Sequence, residues 1–179
     1  FVGDLRRVKG LPELTEAYQL LDSPLPLVLA GPRAPDTPTG FPDGVTVLTS
    51  VPHPTLMAMW DRALIGVFTS RWPKPLGKVV YEAMSRGKAV IGTRPGGHED
   101  MSDDDVSGLL VDAGDIDMLA EAMGRLIAEP GLRDRLGEQA AECSRRYTIG
   151  SVVPQLERLY VETAGSAAGT GTPGANMEA

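Results

Sequence analysis

The fold is decided by residues 64–91, which read LIGVFTSRWPKPLGKVVYEAMSRGKAVI. A short apolar run at residues 64–68 is followed by a proline-containing loop and then by a segment that ends at Gly87. In that segment the apolar residues recur at helical spacing, at Leu76, Val80, Ala83 and Met84. A second apolar run follows at residues 89–91. This order predicts a strand, a helix and a second strand parallel to the first.

The same alternation extends over the rest of the chain. Residues 1–3 are predicted to end a strand, and further strands are predicted at residues 25–30, 45–48 and 109–111. Helices are predicted near residues 11–21, 54–62, 119–126, 132–147 and 152–163. We therefore expect an α/β fold with a parallel sheet, helices on both faces, and ligands bound beyond the carboxyl ends of the strands. Residues 163–179 lack a pattern of bulky apolar side chains, which predicts a domain at residues 1–162 and a flexible tail.

The composition is typical of a globular protein and argues against several functions. The 179 residues include 17 lysines and arginines and 24 acids, a net charge of −7, whereas domains that bind nucleic acid are normally basic. Cys143 is the one cysteine of the sequence, which rules out an intrachain disulfide and a multi-cysteine zinc site. No apolar run is long enough to span a bilayer, and we expect a cytoplasmic protein.

The charges are unevenly distributed along the sequence. Between Arg71 and Arg94 there are six basic residues and one acid, and residues 95–124 contain nine acids and no base. One interpretation is a pair of solvated surfaces of opposite sign. The other is an anion site in the basic stretch, because local positive charge attracts an anionic ligand even when the total charge is negative.

The predicted helix near residue 76 is the strongest candidate for an anion site. The free amides of Gly77, Lys78 and Val79 would point out of its first turn, where unpaired N–H groups and the helix dipole favour a phosphate. Glu82 lies four residues after Lys78, and its carboxylate could accept hydrogen bonds from a ribose diol. The alternative is a surface ion pair between Lys78 and Glu82.

Two further turns are weaker candidates. After the opening strand, Gly3 permits close approach to the backbone, and Lys9 supplies a point charge for a phosphate. An ordinary turn with basic residues on its surface explains the same pattern. After residues 89–91, Gly96-Gly97 can form a turn with exposed amides, and His98 beside it is either a turn residue, a ligand contact or a base.

Several short motifs occur together in one order along the chain. They are Phe1-Val2-Gly3 with Lys9-Gly10, residues 27–31, Ser70 with residues 72–77, Glu82-Ala83-Met84 with Gly87, Gly96-Gly97, and residues 108–111. In order and spacing they resemble the C-terminal domain of family 4 glycosyltransferases, of the "glycosyl transferases group 1" type. The resemblance covers about residues 1–160, and it is far more specific than any single motif.

The resemblance implies an architecture and a substrate class. The chain would be the C-terminal, Rossmann-like half of a GT-B glycosyltransferase, an enzyme that retains the anomeric configuration of the sugar. It would bind a nucleoside-diphosphate sugar as donor, and an N-terminal domain of the same full-length chain would hold the acceptor. No catalytic metal and no other cofactor would be needed.

The resemblance also assigns a role to each candidate residue. Gly3 would approach the donor phosphates, and Lys9 would neutralise the diphosphate leaving group. Main chain near Val51 would meet the base, and Glu82 would bind the ribose hydroxyls. The amides that cradle the phosphates and the sugar would be those of Leu76, Gly77, Lys78 and Val79.

Two positions depart from the family pattern by an exchange of charge. Asp4 stands where the family usually has arginine, and Lys74 stands where it has the first glutamate of a Glu-x7-Glu motif. In one interpretation Lys74 takes over phosphate neutralisation and acts beside Lys9 in catalysis. In the other the donor site has decayed, and the chain is a catalytically impaired homologue that serves as a nucleotide-binding or structural module.

Overall fold

The structure is a computed structural model that describes residues 1–72, 77–97, 99 and 103–168, with side chains up to residue 164. The chain divides into two compact units, Phe1–Ser144 and Arg145–Ala179. The first unit contains the predicted alternation of strands and helices, and the second contains the last helix. Each unit is described by itself below.

The first unit alternates strands and helices along the sequence. Its strands are β1 (Leu27–Ala30), β2 (Val45–Leu48), β3 (Ile65–Phe68), β4 (Ala89–Arg94) and β5 (Leu109–Asp112). Its helices are α1 (Leu11–Gln19), α2 (His53–Arg62), α3 (Lys78–Ser85), α4 (Ile116–Ala128) and α5 (Pro130–Ser144), with a short 3-10 helix at Arg7–Lys9. The elements fall where the apolar spacing predicts them, with ends that differ by a few residues.

The strands pair in parallel, as predicted, and they form two sheets. One sheet pairs β1 with β2, and the other has the order β3-β4-β5. The opening residues add to the first sheet, because the Gly3 amide donates to the Ala30 carbonyl at 2.9 Å and Val2 forms a single parallel bridge with Ala30. A segment of three residues gives a bridge rather than a full ladder. An apolar cavity of about 600 Å³ is bounded by Val28 of β1 and Val67 of β3.

Helices cover both faces of the three-stranded sheet because successive side chains of a strand point to opposite sides. Val67 and Ile91 belong to the main apolar core, together with Leu14 of α1 and Leu126 of α4. The alternate residues of the same strands, whose side chains point to the other face of the sheet, are also buried, on the side of α3. They are Phe68, Val90 and Leu110 of the strands, with Val80, Ala83 and Met84 of the helix. The parallel α/β class with two covered faces is confirmed.

The second unit consists of a 3-10 helix at Arg145–Tyr147 and helix α6 at Ile149–Ala168. The helix begins three residues before the predicted start, where the Thr148 carbonyl accepts from the Val152 amide at 2.9 Å. It also includes residues 163–168 of the predicted tail, whose alanines favour a helix. Within the described residues, no helix has the length and apolar composition needed to cross a bilayer.

Candidate functional site

A cleft opens at the carboxyl ends of β3 and β4, where ligands bind in parallel sheets. Three segments form its walls: the turn at Lys9, the start of α3 at Gly77 and Val79, and residues 96–97, of which Gly97 is helical. Phe1, Val2, Thr69 and Trp72 complete the lining with their neighbours. The structure therefore brings Lys9, Gly77 and Val79 together, although they are far apart in the sequence.

The turn at Lys9 is fixed to the end of β3 by Thr69 and Gly10. The buried Thr69 hydroxyl lies 3.0 Å from the carbonyl oxygens of both Lys9 and Gly10, to which it donates. Gly10 has a φ of 73°, and a Cβ at this position would lie 1.9 Å from the Thr69 carbonyl oxygen. No side chain fits in that gap, so glycine allows the turn to pack against the strand end and holds Lys9 at the cleft.

The start of α3 presents N–H groups that the N-cap residue itself does not cap. Gly77 occupies the N-cap position without a side-chain hydrogen bond to the helix. The helical ladder begins with the Val80 amide, which donates to the Gly77 carbonyl at 2.9 Å. The amides of the residues between them point out of the helix, and the helix dipole adds partial positive charge there. Such a helix start suits an anion.

Glu82 lies one turn further along α3 and faces the start of α2. Its side chain is buried, and its Oε1 atom lies 2.9 Å from Nε2 of His53 and 3.7 Å from Nζ of Lys78. The ion pair between Lys78 and Glu82 that the spacing allows is therefore present. Because Lys78 is exposed, this pair contributes little, and it does not account for the burial of Glu82.

The predicted residues fall into two neighbouring groups. Lys9, Gly77 and Val79 line the cleft, and Gly3 lies at the end of β1 beside Val2. Glu82 and Val51 are not among the described residues that line the cleft; Glu82 contacts His53, which follows Val51 by two residues in the sequence. The predicted residues Lys74, Leu76 and His98 lie outside the described part of the chain.

The Arg6 side chain and the Arg7 backbone near Asp4 both contact Asp36. Asp4 is exposed, and the Arg6 guanidinium pairs with Asp36 at 3.3 Å. The Arg7 amide also donates to Asp36, at 3.1 Å. Desolvation raises the pKa of the Asp36 carboxyl, but the hydrogen bonds from the backbone amides of Arg7 and of Asp36 itself and the Arg6 charge together lower it below its usual value. Arg6 and Asp36 therefore neutralise each other in this loop.

Three residues of the site were not predicted from the sequence. Thr69 and Gly10 act through a contact between positions 59 residues apart, and His53 contacts Glu82 across 29 residues. Gly10 carries a local signal, a glycine before an apolar helix, but nothing local distinguishes Thr69 or His53. No group of three or more His, Cys, Asp or Glu side chains among the described residues could hold a metal ion.

A parallel α/β unit with a cleft at the carboxyl ends of its strands defines a Rossmann-like domain. The sequence matches the family model of the glycosyl transferases group 1 over residues 1–142. The chain therefore belongs to the glycosyl transferases group 1 family, and the predicted resemblance is confirmed.

Curated relatives are longer than this chain. It is 33% identical to a D-inositol 3-phosphate glycosyltransferase of Xylanimonas cellulosilytica, over 90% of this chain and 41% of that protein. It is 27% identical to an alpha-D-kanosaminyltransferase of Streptomyces kanamyceticus, over 90% of this chain and 45% of that protein. The chain thus spans less than half the length of these relatives.

Solved structures share the fold. The Anabaena protein Alr3699/HepE in complex with UDP superposes with a TM-score of 0.80 at 24% identity, over 90% of this chain and 48% of that one. Sucrose-phosphate synthase from Thermosynechococcus elongatus gives a TM-score of 0.80 at 26% identity, over 92% and 45%. The C-terminal domain of a group 1 glycosyl transferase, LpcC of Francisella tularensis, gives 0.70 at 23% identity, over 83% and 84%. The GT-B type of fold is confirmed.

Proposed function

We propose that this chain is the donor-binding half of a glycosyltransferase and that it binds a nucleoside-diphosphate sugar. The observation that carries the proposal is the cleft in which Lys9 and the start of α3, with glycine at its N-cap, face one space at the ends of β3 and β4. The structural neighbour HepE, solved with UDP and with UDP-glucose, supports the same ligand class. The role of each residue stays part of this proposal.

The cleft has the charges that glycosyl transfer requires. When the glycosidic bond of the donor breaks, positive charge develops at the anomeric carbon and negative charge on the departing diphosphate. The amides of Lys78 and Val79 and the ammonium group of Lys9 would stabilise that diphosphate from fixed positions. In comparable oxyanion sites, loss of one such donor costs about 3 kcal/mol of transition-state stabilisation.

The remaining parts of the reaction rest on the family resemblance. We infer that the enzyme retains the anomeric configuration, works without a metal or other cofactor, and holds its acceptor in an N-terminal domain of the same protein. The curated relatives, of which this chain covers 41% to 45%, support a second domain. Proton NMR of the product formed by the longer protein would show whether the new glycosidic bond keeps the configuration of the donor.

Calorimetric titration of the 179-residue chain with UDP, GDP and ADP tests the proposal. We expect one of them to bind, and Lys9→Ala to weaken binding about tenfold through the loss of one charge-assisted contact. Arg86→Ala is the matched control, because Arg86 caps the opposite end of α3 and pairs with Asp61 at 2.9 Å. If none of the three nucleotides binds, the proposal is wrong. If a nucleotide binds but the longer protein transfers no sugar, the impaired-homologue interpretation holds.

A further inference from the structure

His53 makes the closest contact to the buried carboxylate of the proposed donor site. It is the first residue of α2, and its Nε2 atom lies 2.9 Å from Oε1 of Glu82 on α3. The two side chains differ in exposure: 59% of the His53 side chain is accessible to solvent, but only 8% of the Glu82 side chain is. The contact therefore joins an accessible imidazole to a carboxylate that α2 and α3 enclose.

A buried carboxylate needs a hydrogen-bond donor, and His53 supplies one at a definite place. Its Nε2 atom donates to Oε1 when it carries the ring proton, in either the neutral or the charged imidazole. Lys78 also approaches Oε1, but at 3.7 Å and with a side chain that is 79% exposed. A long, solvated lysine restrains the carboxylate less than a short imidazole with two rotatable bonds.

Within the described residues, the contacts that His53 and Lys78 make with the Glu82 carboxylate are both at Oε1. From this arrangement we infer that His53 is a positioning residue, which holds the Glu82 carboxylate so that Oε2 accepts from the vicinal hydroxyl groups of the donor pentose. The inference rests on the proposed function. It assigns to His53 a part in the choice of a ribose-containing donor, acting through Glu82 and not through contact with the transferred sugar.

The consequence is specific to the hydroxyl groups. Without His53 the carboxylate rotates more freely and loses alignment with the pentose, so that ligands with a vicinal diol lose affinity. A ligand that has the same base and diphosphate but no diol gains nothing from Glu82, and its affinity is unchanged. A merely structural role of His53 would weaken both ligands alike.

The experiment compares a nucleoside diphosphate with its 2′,3′-dideoxy analogue, using whichever of UDP, GDP and ADP binds the 179-residue chain best. We expect His53→Ala to weaken binding of the ribonucleotide about tenfold and of the dideoxy analogue less than twofold. His53→Gln should bind the ribonucleotide within about threefold of the unmodified chain, because its side-chain amide nitrogen reaches a similar position. Thr55→Ala, an exposed change in the first turn of α2, is the control and should bind as the unmodified chain does.

Each outcome separates the two claims. If the unmodified chain binds its nucleotide and His53→Ala weakens the ribonucleotide and the dideoxy analogue equally, or neither, the inference about His53 is overturned and the proposed function stands. If none of the three nucleotides binds the unmodified chain, both are overturned. His53→Ala is expected to melt somewhat lower than the unmodified chain, because the buried Glu82 carboxylate loses a hydrogen-bond donor. Binding measured well below the melting transition of each variant therefore excludes unfolding as the cause.

Discussion

At the scale of single residues, the site depends on contacts that join distant positions. Thr69 and Gly10 hold the turn at Lys9 against the end of β3, and His53 of α2 contacts Glu82 of α3. Gly3, Lys9, Gly77 and Lys78 could be named as candidates, since their chemistry is visible in the local pattern of residues 3–9 and 77–82. Thr69 and His53 could not, because each acts through a partner that only the packing of separate strand–helix units brings near.

Replacement of Gly10 by alanine should disturb both the fold and the cleft. The residue has a φ of 73°, and its new Cβ would meet the Thr69 carbonyl oxygen at 1.9 Å. We expect Gly10→Ala to lower the free energy of unfolding by about 2 to 3 kcal/mol, through backbone strain and displacement of the strand end. Urea denaturation measures the change. Gly40→Ala, with nothing within 4 Å of the new Cβ, should stay within about 0.5 kcal/mol, and an equal loss in both variants would contradict the argument.

The exchanged charges at Asp4 and Lys74 make a second prediction at this scale. The Arg6 guanidinium is already paired with Asp36, so it is a poor substitute for the arginine that the family has at position 4. If Lys74 has taken over the role of the family's arginine, the effect of Asp4→Arg on nucleotide affinity should depend on whether Lys74→Glu is also present, and the reverse. We expect a coupling of about 1 kcal/mol or more in a double-mutant cycle of dissociation constants. Purely additive effects would favour the decayed-site interpretation.

At the scale of elements, hydrophobic spacing predicted all five strands and the helices of the described chain. The strand predicted at residues 45–48 has those bounds, and the helix predicted from residue 54 begins at His53. The largest difference is in α6, which ends at Ala168, five residues past the predicted end, and begins directly after Thr148. The Thr148 hydroxyl lies 2.9 Å from the Ser151 hydroxyl. This local polar contact at the start of the helix is not visible in the spacing of apolar residues. Spacing of apolar residues locates the middle of a helix better than its ends.

The start of α4 gives a prediction about helix capping. Asp115 occupies the N-cap position, and its Oδ1 atom accepts from the Met118 amide at 2.8 Å. Asp115→Ala should therefore lower the free energy of unfolding by about 1 kcal/mol, and Asp115→Asn, which keeps the acceptor, should lower it by much less. Glu121→Ala on the exposed side of the same helix should have little effect. Urea denaturation measures the free energy of unfolding of the three variants. Equal stability of the alanine and asparagine variants at position 115 would contradict the proposed cap.

At the scale of the whole first unit, the parallel class was predicted and the division into two sheets was not. The opening residues pair with β1, and an apolar cavity separates part of β1 from β3. Spacing along a sequence reports which residues are buried, but it carries no information on which strands become neighbours. The same arrangement buries the amino group of Phe1, which donates to the Val28 carbonyl at 3.0 Å.

That buried amino group should make the stability of the 179-residue chain depend on pH. Desolvation lowers the pKa of the Phe1 amino group from 8.0 to about 5 in the folded chain. Between these values the unfolded chain binds the proton and the folded chain does not, so the free energy of unfolding rises as the pH rises from 5 to 8 and falls as the pH falls. The contribution is at most about 4 kcal/mol across this window, because each pKa unit corresponds to about 1.4 kcal/mol.

Acetylation of the Phe1 amino group isolates this contribution, since every other titrating group is common to the two preparations. With the charge removed, the free energy of unfolding measured in urea should vary less between pH 5 and pH 8 than in the free-amine chain. The difference between the two preparations should change little near pH 8, where the amine is neutral in the folded chain and half-protonated in the unfolded chain, and it should change steadily toward pH 5. The same pH dependence in both would mean that the Phe1 amino group reaches water, and that the first strand segment is not enclosed beside β1.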